Sequence, residues 1–258
     1  MSPQAGGESL LEVVRVMARL RAPDGCPWDR EQTHQSLRRQ LLEETHEVLE
    51  AIDSGDPAKL RDELGDLLIQ VVFHAQIAED EGAFTVDDVA KGTVEKLVRR
   101  HPHVFGDVTA DTAAQVVKNW DAIKEEERGA HAIDEEIPPT LPALLRAYKV
   151  QRRAASQGFD WRSPEGAMSK VREELGELER AATPEEIEGE IGDLLFAVAA
   201  LARHHGVDTE SALRGTTKRF AERFEALKSW ATENQVDLNT LSEHDLLARF
   251  RDLRETTG

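Results

Sequence analysis

Apolar residues along this chain recur three and four positions apart, the spacing that gives an α-helix one buried face. Leu10, Val13, Val14, Met17 and Leu20 follow that spacing, and the breaker cluster Ala22-Pro23-Asp24-Gly25 ends the run. The pattern predicts a second helix from about Ser36 to Ile52, stopped by Ser54-Gly55-Asp56-Pro57. A third covers about Ala58 to Glu79, with Leu60, Leu64, Leu67, Leu68, Val71 and Val72 on its buried side and Glu81-Gly82 after it. A fourth opens near Thr85-Val86-Asp87-Asp88 and runs to about Arg100, where His101-Pro102 stops it.

The second half repeats this plan. Leu144 to Ala155 reads as its first helix, and Gln157-Gly158-Phe159-Asp160-Trp161 as the break that answers Gly25-Cys26-Pro27-Trp28-Asp29. Helices follow at about Pro164 to Ala181, Pro184 to His204 and Thr209 to Glu233, with Gly206-Val207-Asp208 as a turn. Ser242 is expected to cap a last helix over about 243–254, with Asp245 at the capping-box position. The stretch between the halves is charged and then proline-bearing, and reads as a linker with solvated acids. The expected architecture is all-α: two tandem four-helix bundle units, 1–125 and 143–258, joined by a linker over 126–142.

Composition narrows the class of protein. Of the 258 residues, 40% are apolar and only 5% aromatic, which provides a core and favours helices over many-stranded sheets. The net charge of −18 argues against a nucleic-acid polymer or an anionic membrane as main partner. It does not exclude a nucleotide delivered with its metal. Cys26 is the only cysteine, so no intramolecular disulfide and no cysteine metal cluster can form. With no secretory signal and no apolar run of membrane-spanning length, a cytosolic protein is expected.

The candidate chemistry lies in acids that occur twice. Glu43-Glu44-x-x-Glu47 is followed by Glu63-x-x-Asp66, and Glu173-Glu174-x-x-Glu177 by Glu190-x-x-Asp193. Each second element continues as Gly-Asp-Leu-Leu, at Gly65 to Leu68 and Gly192 to Leu195. Residues three apart share a helix face, so each pair presents two carboxylates in one direction. Leu41 and Val48 bracket Glu44, Leu60 and Leu67 bracket Glu63, Val171 and Leu178 bracket Glu174, and Ile187 and Leu194 bracket Glu190. Every lead acid therefore borders the buried stripe of its helix. The second acid of each pair is followed four residues on by Ala51, Ala181 or Ala197, with Gln70 the exception. Two such helices packed antiparallel bring four carboxylates into a partly buried groove, where they repel unless neutralised. Mg²⁺ or Mn²⁺, which favour carboxylate and water oxygens, would resolve that. One ExxE in so charged a chain means little; its recurrence in one apolar frame and helix order is what carries the reading.

Taken with Arg99-Arg100-His101-Pro102-His103-Val104-Phe105 and Gly158-Phe159-Asp160-Trp161, these motifs resemble the MazG family of nucleoside triphosphate pyrophosphohydrolases across nearly the whole chain. The resemblance implies an all-α, typically homodimeric enzyme that uses Mg²⁺ to hydrolyse NTPs or dNTPs to the monophosphate and pyrophosphate. The role it implies is clearance of non-canonical nucleotides. It implies metal ligands at Glu44, Glu47, Glu63 and Asp66, and at Glu174, Glu177, Glu190 and Asp193. It implies phosphate-facing bases at Lys96 and Arg100, and at Arg219 and Arg223. Lys59 joins the substrate-binding set, although the matching position in the second half holds Glu186, and Arg219 stands where Lys is usual.

On this reading Glu44 or Glu174 takes a proton from the attacking water. Trp28, Phe159 and Trp161 either stack on a base or pack in the core. His101 and His103 either cap carbonyls or join the site. Glu43 and Glu173 either position water or a second metal, or solvate their helices. A di-iron bundle would need paired Glu-x-x-His, which Glu43-Glu44-Thr45-His46 offers once and the repeat, with Gly176, does not. The alternative outside catalysis is a nucleotide-binding or dimer-forming scaffold in one or both halves.

Overall fold

The computed structural model describes residues 7–128, 132, 133, 135 and 137–253. Among the described residues the regular elements are helical and none is a strand. The chain divides into two compact units that meet between Glu127 and Arg128.

The first unit comprises α1 (Gly7–Arg21), α2 (Pro27–Glu31), α3 (Arg38–Ser54), α4 (Pro57–Asp80), α5 (Val86–Arg100), α6 (Pro102–Phe105) and nearly all of α7 (Ala113–Arg128). Local chemistry sets the main boundaries. Gly55 ends α3 in the left-handed conformation, φ 68°, which lacks a steric penalty only for glycine. Asp56 then caps α4 by accepting from the Ala58 N–H at 2.8 Å, with Pro57 in the first turn. So short a turn folds α3 and α4 back on each other as an antiparallel pair. Thr85 and Asp88 form the reciprocal capping box of α5. α1 packs along α4, and Met17, Leu37, Val72, Phe73 and Ile77 make the core, with Val13, Val14 and Leu68 against it.

The second unit holds α8 (Ala143–Ser156), α9 (Pro164–Leu178), α10 (Pro184–His204), α11 (Thr209–Glu233), a 3-10 turn (Leu238–Thr240) and α12 (Glu243–Asp252). α9 and α10 form the corresponding pair, and α8 packs on α10 and α11. Thr183 and Glu186 make a capping box at the start of α10, and Asp208 caps α11 through the Glu210 and Ser211 N–H groups. Ser242 accepts from the Asp245 N–H, as expected. Small side chains dominate the interior here: Ala167, Ala197, Ala199 and Ala200 are buried, with Leu227 and Ala231.

Several local expectations need correction. α7 was not foreseen, and it runs into the stretch read as linker. Its signal was present: Thr112 and Gln115 form reciprocal capping bonds, and Val116, Trp120 and Ile123 follow at helical spacing. α2 and α6 are single turns opened by proline, too short to show periodicity. Leu64 and Val71, expected on the buried side of α4, are 48% and 46% exposed, because the buried stripe swings to Val72, Phe73, Ala75 and Ile77. The last helix, expected to reach 254, is described to Asp252, and residue 254 lies outside the described residues.

Candidate metal centre

In the first unit α3 carries Glu44 and Glu47, and α4 carries Glu63 and Asp66. Oxygens of Glu44, Glu47 and Glu63 lie within 4.8 Å of one another. The Glu44 carboxyl is pushed above the usual carboxylate range, first by burial, then by the negative charges of Asp66 and Glu47, a hydrogen bond with Glu47, and the charge of Glu63. The three other expected ligands therefore all act on Glu44, although Asp66 stands outside the group of converging oxygens.

The second unit builds the same cluster from α9 and α10. Ligand oxygens of Glu174, Glu190 and Asp193 converge within 4.8 Å, as do those of Glu173, Glu174 and Glu177. Burial raises the Glu190 carboxyl, helped by the charges of Glu177, Glu174 and Asp193 and opposed by Lys170. Glu174 is 4% exposed, and Glu190 Oε2 is buried without a hydrogen-bond partner. A buried carboxylate oxygen without a donor is a costly arrangement that a cation would relieve. The donor set is all carboxylate, which suits a hard divalent ion. His46 is exposed and stands outside these clusters, so nothing completes a di-iron ligand set.

Sequence reasoning overlooked Lys170. Its ammonium contacts Glu174 and lies 2.7 Å from Glu173 Oε1, one turn away on α9. Those two acids hold its proton more tightly than usual. The matching position of the first unit, four residues before Glu44, is Gln40, so among the described residues the Lys170 contact has no counterpart there. Glu43 turns away to pair with Arg39 at 2.7 Å.

Of the expected phosphate-facing bases, Arg100, Arg219 and Arg223 make other contacts. Among the described residues, none of the four forms an ion pair with a cluster carboxylate. Lys96 is exposed on α5. Arg100 is bound to Glu127 of α7 at 2.5 Å, and Arg99 shares that carboxylate at 2.6 Å. The two guanidinium groups depress the Glu127 carboxyl to about 2. Arg219 donates to Thr216 Oγ1 at 2.9 Å, while Arg223 lies over the Phe250 ring of α12, 5.0 Å from its centroid. Glu127, read from sequence as a solvated linker acid, is instead held by two guanidinium groups, and Phe250 was not singled out, because neither lies in a repeated motif.

The remaining candidates divide. Lys59 pairs with Glu50 at 3.1 Å and bridges α3 to the start of α4. Glu186 serves as a helix cap, accepting from the Ala182 and Thr183 N–H groups, and those bonds lower its carboxyl. Trp28 is 52% exposed and meets Phe73 edge-on at 6.4 Å. Phe159 is 82% exposed. Trp161 packs on Gly166, where an added Cβ would stand 3.0 Å from its ring. His101 Nδ1 lies 2.6 Å from the Leu97 carbonyl, the capping alternative, and His103 Nδ1 is buried without a partner.

Known proteins resemble this chain in sequence. Residues 32–105 and 162–227, which include every expected metal ligand, match the MazG nucleotide pyrophosphohydrolase domain. The chain belongs to the MazG family. Over 232 residues it is 47% identical to a Thermotoga maritima protein named nucleoside triphosphate pyrophosphohydrolase/pyrophosphatase MazG, covering 89% of each chain. It is 43% identical over 245 residues to the Escherichia coli K12 nucleoside triphosphate pyrophosphohydrolase, covering 90% of this chain and 93% of that one. A solved MazG-related protein from Thermotoga maritima aligns with 45% of this chain and 97% of its own, at 28% identity and a TM-score of 0.38. Membership of MazG makes the chain a hydrolase of the nucleotide pyrophosphohydrolase class, and the scaffold alternative is not favoured. MazG enzymes are generally metal-dependent, in keeping with the two acidic clusters. No helix among the described residues is long and apolar enough to cross a membrane.

Proposed function

We propose that this chain hydrolyses nucleoside triphosphates to the monophosphate and pyrophosphate with Mg²⁺, Mn²⁺ serving as a substitute, in nucleotide-pool housecleaning. The observation that carries the reading is the duplicated convergence of carboxylates, with Glu44 and Glu190 each raised by burial and by neighbouring acids, within a family of nucleotide pyrophosphohydrolases. Glu44, Glu47, Glu63 and Asp66 would hold the metal in the first unit, and Glu174, Glu177, Glu190 and Asp193 in the second. When bound, the cation neutralises triphosphate charge and lowers the pKa of a coordinated water.

The chain's own groups do the rest. Glu44 or Glu174 accepts the proton of the attacking water as its oxygen bonds to the α-phosphorus. The bond from that phosphorus to the α–β bridging oxygen breaks, and pyrophosphate leaves with the electron pair. Lys96 and Arg100, or Arg219 and Arg223, take up negative charge on the phosphates, and Arg100 must exchange Glu127 for substrate to do so. The chain acts as a cytoplasmic homodimer, a state supported by apolar side chains left exposed on its helices, such as Val94 at 58% and Phe220 at 57%.

The test is incubation with a panel of NTPs and dNTPs plus Mg²⁺, the products resolved by ³¹P NMR. Monophosphate with pyrophosphate is expected. Diphosphate with orthophosphate would keep the metal reading and overturn the reaction.

A further inference from the structure

The first unit contains a cavity of about 580 Å³ between α1, the Trp28 turn, α3 and α4. That volume falls within the roughly 300–1,000 Å³ typical of small-molecule sites. Val13, Met17 and Phe73 give it apolar walls, and half-exposed Trp28 offers an aromatic surface. The cavity's polar lining comprises Ser9, Glu12 and Asp29 together with two carboxamides, Gln40 from α3 and Gln70 from α4. Gln70 is 6% exposed, and its Oε1 is buried without a hydrogen-bond partner. An interior carboxamide left unsatisfied is costly, so its presence beside a cavity points to a polar partner supplied from outside.

The position relates this cavity to the acids. Gln40 precedes Glu44 by four residues, and Gln70 follows Asp66 by four. Because α3 and α4 run antiparallel, both carboxamides lie toward the same end of the acidic cluster, about 6 Å of helix rise beyond it. A ligand with its phosphates at the carboxylates and a flat, hydrogen-bonding group one helical turn away spans the two features. In the second unit the matching positions are Lys170 and Ala197, which offer no such pair.

We propose that the cavity receives the nucleobase of a nucleoside triphosphate held at the first acidic cluster. Trp28 stacks on the base, and Gln70, with Gln40, reads a donor–acceptor edge. A carboxamide offers one donor face and one acceptor, which matches any base edge carrying an adjacent N–H and acceptor. The inference rests on the first acidic cluster being a metal–triphosphate site. It assigns base discrimination to the first unit.

The experiment uses the full chain with the second cluster disabled by E174Q and E190Q. Calorimetric affinities are measured with Mg²⁺ for inorganic tripolyphosphate and for α,β-methylene analogues of the four common NTPs. At least one analogue is expected to bind about tenfold tighter than tripolyphosphate. Q70L should abolish that advantage while leaving tripolyphosphate affinity unchanged. V16W, which fills the cavity from a half-exposed wall position, should do the same, and circular dichroism checks the fold of both variants. If tripolyphosphate binds and no analogue binds tighter, or Q70L weakens both ligands alike, the base assignment is overturned and the metal reading survives. Binding of neither ligand overturns both.

Discussion

Replacing Glu44 by Gln should make the first unit more stable without divalent metal and less stable with it. The substitution keeps the shape of the side chain and removes its charge. Glu44, Glu47 and Glu63 have oxygens within 4.8 Å of one another, and Asp66 also acts on Glu44. At that separation two like charges repel by about 0.9 kcal/mol in water and about 3.5 kcal/mol at an effective dielectric constant near 20. Glu44 is only partly buried, so solvent and salt screening hold the total relief to about 1–2 kcal/mol. For a unit of this size that is a rise of about 4–8 °C in melting temperature in EDTA. Mg²⁺ at a hundredfold over its dissociation constant should add about 2.7 kcal/mol to the wild type and little to the variant, so the order of melting inverts.

The same experiment has a pH signature. Because the folded Glu44 carboxyl is raised, the native state binds more protons than the unfolded chain between the ordinary and the raised values. Wild-type stability in EDTA therefore falls as pH rises through that interval, and the gap between variant and wild type closes on acidification. Differential scanning calorimetry in EDTA and in Mg²⁺, at neutral pH and near pH 5, reads all four conditions. A variant that melts below wild type in EDTA, or that keeps the full Mg²⁺ shift, would refute the account of the site as mutually repelling acids awaiting a cation.

Three further outcomes are expected. E44Q with E63Q should silence the first cluster and E174Q with E190Q the second. The quadruple variant should lose about 10²–10⁴ in kcat, and wild-type turnover in that variant would sink the carboxylate reading. E127Q should free Arg99 and Arg100 and lower KM for nucleoside triphosphates about threefold, the scale of one screened ion pair; an increase in KM would show that Arg100 does not meet substrate. Leu37, fully buried in the first core, should cost about 2–5 kcal/mol when truncated to Ala, measured by urea unfolding with an unchanged m-value.

Much of the fold was legible because its information is local. Gly55, Asp56, Thr85 with Asp88, Thr183 with Glu186, and Ser242 mark helix ends through bonds that close within a few residues. The i, i+3 spacing placed Glu44 with Glu47, and Glu63 with Asp66, on common faces before any helix was packed. α7 carries a local start signal too, in Thr112 and Gln115, but its charged end reads as linker. Leu64 and Val71 show a physical limit, since periodicity gives an apolar arc but not which edge of it a neighbouring helix covers.

The sequence by itself determined the all-α class, the duplication, the principal helices and the i, i+3 pairing of acids on common helix faces, because helical geometry and capping act between near neighbours. Only the tertiary structure decided that Glu127 holds Arg99 and Arg100, that Arg223 lies over Phe250, and that Gln70 sits unpartnered beside a cavity. These are contacts between separate helices, and their geometry depends on how side chains from distant parts of the chain fill a shared volume. Lys170 falls between the two cases. Its position four residues before Glu174 is a sequence fact, but its weight as an internal counter-charge follows from the burial of Glu174, which α10 and the rest of the second unit impose.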